Sequence, residues 1–568
     1  FTEREFAERS EVKDNVEQTG PQLKKEILYS VDDSPPIQLT ILLGFQQYLT
    51  AFGGLVGAPL LLRKFYCIDG DNEGLAQIIG TVFVACGIST VLQTTLGVRL
   101  PIIQGATAAF FGPIISVLSQ PDMQCPYTAI QNNNGTSETL PPLGSEGHKE
   151  IWRERFRLIQ GSMLVASLFQ VFLGCSGMIG VMLRYIGPLT VAPTIALIGL
   201  SLFDIVADFA QGQWYIALST SLVITIFSQY CKKLSIPCCQ YSKGQGCKCE
   251  KLPIFQLFPK VGCFLRVKNR WGYQARTDIK TSSLSSSPWI RFPYPGQWGT
   301  PTISAGAVCG MLAAIIASVV ESIGDYRACA KLSEAPPPPD HAMNRGVAME
   351  GIGCILNASF GSGQATTSYS ENIAAILITK VGNRQVTIAA GLLMIVFGCL
   401  GKFTALFVAL PDPILGGIAL ITLGMVISVG ISNYQYVDLN SSRNLFIIGT
   451  SLFVGLTVPR WVSENPASIH TGVELIDQIL LILLRTNMLV GGVLAFILDN
   501  TIPGTKEERG LLIWNAGAQD SNKDTVCKTY DIPFIQTYLN RINCLRFIPI
   551  CPTYQPGNCT RKKRNYNL

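Results

Sequence analysis

From Ile37 to Leu62 the chain runs for 26 residues without a charged side chain. A helix needs about 20 mostly apolar residues to cross the hydrocarbon of a bilayer. Further apolar runs occupy residues 75–98, 101–119, 158–183, 185–203, 214–231, 302–320, 346–360, 372–379, 385–400, 403–437, 444–459 and 478–498. Some have the length of one span, some are shorter, and 403–437 is long enough to hold two. These runs mostly lack the polar face that a helix on the surface of a soluble protein shows. The pattern predicts an all-α polytopic membrane protein.

Two runs are interrupted by Gly, Pro and polar residues. One is Leu100-Pro-Ile-Ile-Gln-Gly-Ala-Thr-Ala-Ala-Phe-Phe-Gly-Pro113, and the other is Phe360-Gly-Ser-Gly-Gln-Ala-Thr-Thr-Ser-Tyr-Ser-Glu-Asn372. Each reads as a short extended stretch leading into a short helix. Within a bilayer such backbone is tolerated only where protein buries it or where it lines a cavity. One interrupted segment in each half of the chain points to a transporter's binding site, and a re-entrant turn used only for packing is the alternative.

Composition agrees. Of 568 residues, 48% are hydrophobic and 14% charged, and the mean hydropathy is +0.32. A soluble domain carries about a quarter charged residues, so a disordered chain, a coiled coil and a soluble enzyme are all poor fits. The net charge of +6 comes from connecting segments, with no basic-aromatic module, so no nucleic-acid partner is expected. His148, His341 and His470 are the three histidines, too few for a His-rich metal site. There is no Walker A loop, no G-x-S-x-G and no H-E-x-x-H, so neither an enzyme nor a bound cofactor is expected. Phe1 stands where a start Met would, which leaves the true start open.

The polar segments set an orientation. Residues 232–270 hold Lys232, Lys233, Lys243, Lys248, Lys251, Lys260, Arg266, Lys268 and Arg270 against Glu250, and the tail holds Arg561, Lys562, Lys563 and Arg564. Both read as cytosolic by the positive-inside rule. Segment 120–156 reads as outside and carries the glycosylation acceptor Asn134-Gly-Thr136. A disulfide between Cys67 and Cys125 can form there. Arg63 and Lys64, at the outer end of the first span, run against the rule. Cys238, Cys239, Cys247 and Cys249 lack the paired C-x-x-C spacing of a zinc site and read by default as reduced thiols, with palmitoylation as another use.

Ionisable residues inside spans are expensive and mark function by default. Glu321 and Asp325 are four apart and would share one helix face, presenting two carboxylates to a cavity, unless the helix ends before Glu321. Glu371 stands at the mouth of the short helix beginning near Asn372, where a helix N-terminus favours negative charge. Together Glu321 and Glu371 can accept from two N–H groups of a flat ligand.

The run Glu371-Asn-Ile-Ala-Ala-Ile-Leu-Ile-Thr379-Lys380 resembles the signature of the nucleobase–ascorbate transporter family, solute carrier family 23. Further matches are Glu321-Ser-Ile-Gly-Asp-Tyr326, Ala335-Pro-Pro-Pro-Pro339, Leu410-Pro-Asp-Pro-Ile-Leu-Gly-Gly417, Asn440-Ser-Ser-Arg-Asn444 and Leu494-Ala-Phe-Ile-Leu-Asp-Asn-Thr501. The resemblance runs from about Tyr29 to about Pro552 and is closest to the vertebrate sodium-coupled branch. It implies a 7+7 inverted-repeat fold with core and gate domains, a homodimer, and substrate held between two half-helices. It places substrate on Glu321, Glu371, Asn372 and the main chain near Ala108 and Ser370. Asp325 becomes the candidate for coupling Na+. Vertebrate ascorbate carriers have Pro at the position of Glu371, whereas the stretch here looks more like a bacterial uracil permease. Ascorbate is an anion, and a second carboxylate about 4 Å away would oppose it by roughly 4 kcal/mol at an effective dielectric near 20. The resemblance therefore implies sodium-coupled symport of uracil-like or purine bases across the plasma membrane. An ascorbate carrier and a transport-inactive membrane protein are the rival readings.

The chain departs from the family pattern at three places. Gln46-Gln47 replaces Gln-His, and Ala374 replaces the signature Gly. Where relatives have a whole seventh span, only Val261-Gly-Cys-Phe-Leu-Arg-Val267 remains. The layout is then a cytosolic segment 1–36, a first repeat 37–231 with a half-helix near 104–118, and a basic Cys-containing segment 232–300 with the truncated span. A second repeat 301–500 with a half-helix near 371–380 and a cytosolic tail 501–568 follow.

Overall fold

The first helix begins immediately after Pro35-Pro36 and stays helical through the uncharged run to Tyr66. It belongs to a computed structural model that describes residues 27–120, 122–127, 140–226, 230, 235–242, 246–253, 287–511, 529–532 and 548–551. In the first half, α1 (Ile37–Tyr66) and α2 (Asn72–Thr95) lead to a three-residue strand β1 (Gln104–Ala106). A 3-10 turn (Ala108–Phe110) then opens the short helix α3 (Phe111–Leu118), and α4 (Glu146–Ser176) follows. The second half repeats this order: α9 (Ala305–Leu332), α10 (Asp340–Phe360), strand β4 (Thr366–Ser368), short helix α11 (Ser370–Thr379) and α12 (Arg384–Cys399). Between the halves lie α5 (Ile179–Tyr185), α6 (Pro188–Leu200), α7 (Phe203–Ala210), α8 (Trp214–Thr225) and a hairpin of β2 (Ser235–Ser242) and β3 (Gly246–Pro253). The chain continues after α12 through α13 (Gly401–Val408), α14 (Asp412–Ser432), α15 (Ser442–Glu464), α16 (Glu474–Leu484) and α17 (Asn487–Thr501).

Among the described residues, seven helices are long and apolar enough to cross a membrane, and an eighth is reached when α16 and α17, bent by 81° at their junction, are counted as one span. The run 403–437 does not hold two spans. Pro411 disfavours helix at Leu410, so α13 stops short and one span, α14, begins at Asp412. The abbreviated seventh span and Asn134 lie outside the described residues. The four clustered cysteines sit on the β2–β3 hairpin, with Cys239 opposite Cys249 in the ladder.

The two halves are interlocked. Helix α4 of the first packs along α10 of the second, and α12 of the second packs along α2 of the first. The close approach of α2 to α12 needs small residues. A Cβ on Gly80 or Gly87 would lie 2.7 Å from the carbonyl oxygen of Gly398 or Gly391. These helices with α1 and α9 form the core. Helices α6, α7, α8, α14, α15 and α17 pack among themselves as a second group, the gate. The family motif residues of the gate build its far end, where the buried Asp499 pairs with Arg443 at 3.0 Å and Arg509 at 2.9 Å.

At the C-terminal end of α1, Cys67 adopts a left-handed conformation and is disulfide-bonded to Cys125. Arg63 there is no stray cation. It pairs with Asp69 at 2.8 Å and with Asp412 of the gate at 2.6 Å, and it lies over the Phe209 ring.

Candidate functional site

Strands β1 and β4, one from each half, pair antiparallel at the centre of the core, Gln104 opposite Ser368 and Ala106 opposite Thr366. Pairing satisfies backbone groups that have no water available at that depth. The Gln104 N–H donates to Thr90 Oγ1 at 2.9 Å, and the Tyr369 N–H donates to the Ile103 carbonyl at 3.0 Å. Beyond the strands the chain turns at once into helix on both sides. Thr107 caps the first turn by accepting from the Ala109 N–H at 3.1 Å.

A cavity of about 560 Å3 lies where these helix starts face the gate. Its core wall is formed by Gly53 and Gly54 of α1, Ala106, Thr107, Ala108, Glu321, Thr367, Ser368, Tyr369 and Glu371. Its opposite wall is mostly apolar and comes from α6, α8 and α14, with Ile198, Val223, Leu415, Ile418 and Val426. A concave, mainly apolar site with a few convergent polar groups is the common form of a small-molecule pocket.

Helix α9 continues well past Glu321, so both of its carboxylates lie within the helix rather than beyond its end. They do different things. Glu321 lines the cavity, and its Oε2 is shielded from solvent with no hydrogen-bond partner among the described residues. Asp325 does not line the cavity. It accepts a hydrogen bond from Ser370 Oγ at 2.8 Å, which ties α9 to the start of α11. Helix α11 begins at Ser370, two residues before the expected Asn372, and Glu371 therefore sits in its first turn and lines the cavity. Asn372 points elsewhere. Its amide donates to the Gln47 carbonyl at 2.8 Å and to Gln47 Oε1 at 2.7 Å, so the Gln in place of the usual His holds α11 against α1. Of the anticipated substrate residues, Glu321, Glu371 and Ala108 meet at the cavity, while the side chains of Ser370 and Asn372 brace it.

The signature ends Thr379-Lys380 act on the backbone. Thr379 Oγ1 donates to the Ala375 carbonyl at 3.0 Å, and Lys380 is the left-handed cap of α11 at φ 55°. Gly is the usual residue at such a cap, and Lys380 takes the left-handed conformation in its place. The Lys380 carbonyl in turn accepts from the Leu28 N–H at 2.8 Å, pinning the segment before α1.

One carboxylate escaped the motif reading. Glu350 of α10 is 1% exposed and accepts from Ser322 Oγ at 2.7 Å and Tyr326 OH at 2.8 Å. Tyr326 OH accepts from Gln93 Nε2 at 2.7 Å, and Ser322 Oγ lies 2.9 Å from Thr367 Oγ1 on β4. This chain of bonds runs from α2 to the cavity wall. The signal was available, an acid inside the apolar run 346–360.

Comparison with known proteins agrees with the geometry. The family model described as Permease family matches residues 38–464. The chain is 45% identical to mouse solute carrier family 23 member 1, over 94% of this chain and 90% of that one. It is 44% identical to human solute carrier family 23 member 2, over 97% and 87%. Arabidopsis nucleobase-ascorbate transporter 1 is 32% identical over 86% and 92%. Among solved structures, the murine Slc26a9 anion transporter in its inward-facing state superposes with a TM-score of 0.52 at 13% identity, covering 77% of this chain and 68% of that one. That likeness speaks for the inverted-repeat fold alone. With its spans, its paired strands and these relatives, the chain is a multi-pass membrane transporter rather than an enzyme, and it belongs to the nucleobase–ascorbate transporter family, solute carrier family 23.

Proposed function

We propose that this transporter carries nucleobases, uracil-like or purine, together with Na+ across the plasma membrane by alternating access. The observation that carries the reading is that Glu321 and Glu371 line one cavity beside the helix start at Ala108. A planar base presents N–H donors and carbonyl acceptors along its edge. Carboxylates accept from the N–H groups, and backbone N–H groups at a helix start can donate to the carbonyls. The apolar gate wall would cover the ring's face. Asp325 is the proposed coupling group for Na+, since a hard cation prefers oxygen ligands. It lies just behind the cavity wall on the same helix as Glu321. A homodimer follows the family.

The rival substrate is ascorbate, the other class named by the plant relative. Two cavity carboxylates oppose an anion, which is why the nucleobase reading is preferred. The transport-inactive reading turns on the seventh span, which lies outside the described residues. The test is uptake of labelled uracil and labelled ascorbate by cells expressing the chain, in sodium and in choline medium. Uracil uptake that needs sodium supports the proposal. Uptake of ascorbate alone overturns it. No uptake of uracil or of purine bases, with the protein at the surface, favours the inactive reading.

A further inference from the structure

We infer that Tyr369 is a positioning residue, a brace that sets the spacing between the two half-helix starts; its effect on transport rests on the nucleobase reading above. The residue is the last before α11 and is 7% exposed. Its ring lies flat across β1. A Cβ on Gly105 would fall 2.2 Å from Cζ, 2.4 Å from Cε2 and 2.6 Å from Cε1 of that ring. The hydroxyl reaches beyond β1 to the first helix, where a Cβ on Gly54 would fall 2.3 Å from the hydroxyl oxygen. There the hydroxyl donates to the Ala106 carbonyl at 2.7 Å. At its other end the Tyr369 N–H is held by the Ile103 carbonyl at 3.0 Å. One residue therefore holds β1 at both ends, by its backbone N–H at one and its side-chain hydroxyl at the other, and the side chain needs two glycines from the first half to do so.

The consequence is geometric. Ala106 is two residues before Ala108, and Tyr369 is two residues before Glu371. The hydroxyl bond fixes how far apart those cavity groups stand, across a contact between two halves of the chain. Placement of catalytic or binding groups to within about 0.5 Å is what such supporting contacts provide. Gly54 is approached most closely by the hydroxyl oxygen and Gly105 by the ring carbons, and this difference supplies the test.

The experiment compares Tyr369→Phe, Gly54→Ala, Gly105→Ala and the double variants, reading KM and maximal uptake at matched surface expression, and the melting temperature in detergent. Tyr369→Phe removes one neutral hydrogen bond and is expected to raise KM about fivefold, with maximal uptake and melting temperature near those of the parent. Gly54→Ala is expected to lower melting temperature and uptake, and Tyr369→Phe added to it to restore both in part, because the closest atom, the hydroxyl oxygen at 2.3 Å, is then gone while Cζ at 2.9 Å and Cε2 at 3.2 Å remain. Gly105→Ala is expected to lose the same properties without rescue by Phe, because the ring atoms remain. Its melting temperature is expected to recover with Tyr369→Ala. A Gly54→Ala protein that behaves as the parent, or a Phe that rescues both glycine variants or neither, overturns the brace. The substrate used is whichever of uracil and ascorbate the parent takes up, and melting temperature alone decides if it takes up neither. The fate of the nucleobase reading is thus read from the parent, and that of the brace from the rescue pattern.

Discussion

Neutralising Asp412 is expected to loosen the outer closure between core and gate. The Arg63 guanidinium at the end of α1 contacts Asp412, the first residue of α14, at 2.6 Å, and its side chain is 6% exposed. Two unit charges about 4 Å apart interact by about 4 kcal/mol at an effective dielectric near 20. Asp412 is 38% exposed, so solvent screens the pair well below that figure. Arg63 also keeps Asp69 and the Phe209 ring when Asp412 is changed. Its charge is therefore not stranded, and the cost of about 3–5 kcal/mol for an orphaned buried ion does not apply. The remainder is about 1–2 kcal/mol, a factor of about 5–30 in a two-state population. The assay is a cysteine placed at Thr422 on the cavity's gate wall, labelled from outside with a membrane-impermeant thiol reagent, against a background without that cysteine. Asp412→Asn and Arg63→Gln are each expected to raise the labelling rate about 5- to 30-fold, and the double variant no further than the larger single effect. Arg63→Gln also controls for the carboxylate's favourable place at a helix start. Labelling at the parent rate in both single variants would refute the reasoning.

Glu371→Gln keeps an acceptor but removes the charge. Exchanging a charged for a neutral hydrogen bond loses about 1–2 kcal/mol, so the KM for uracil should rise about 5- to 30-fold, while any ascorbate uptake should improve. A KM within twofold of the parent would count against Glu371 as the base's partner. Glu350→Ala removes the acceptor shared by Ser318, Ser322 and Tyr326; the two serines keep Thr367 Oγ1 within reach, so the donor left unpaired is the Tyr326 hydroxyl, at a cost of about 1–3 kcal/mol. The expected result is a lower melting temperature in detergent; no shift would mean the network is dispensable. Replacing Cys67 and Cys125 together by Ser opens a loop whose ends are 58 residues apart. Chain entropy alone assigns that closure about 4 kcal/mol, and thermal unfolding should show the loss.

Much of the architecture could be read from runs of apolar residues, because length and the absence of charge are local properties. The interrupted segments were legible for the same reason, and they became β1 with α3 and β4 with α11. Glu321 and Glu371 stood out as acids at the edges of such runs. Asp325 stood out equally, yet it serves Ser370 and does not line the cavity. Spacing of four places two side chains on one helix face but does not say what each meets. Asn372 was placed at the substrate by the family resemblance, and its bond to Gln47 is a contact across 325 residues. Glu350 was hidden by the want of a motif around it, although its setting obeyed the rule that found Glu321. The brace at Tyr369 was invisible, since a tyrosine declares its role only where it meets Gly54 and Gly105.

The pairing of β1 with β4 also bears on how the chain is made. Gln104 and its partner Ser368 are 264 residues apart. At about 5–20 residues per second, synthesis of that interval takes roughly 13–50 s. Throughout it the peptide groups of β1 have no strand to meet, and lipid offers them none. A ribosome that stalls before Thr366, or a message cut short there, would release a first half whose midplane strand has no partner. The unfinished protein would thereby hold a midplane strand whose pairing edge stays open until the second half arrives.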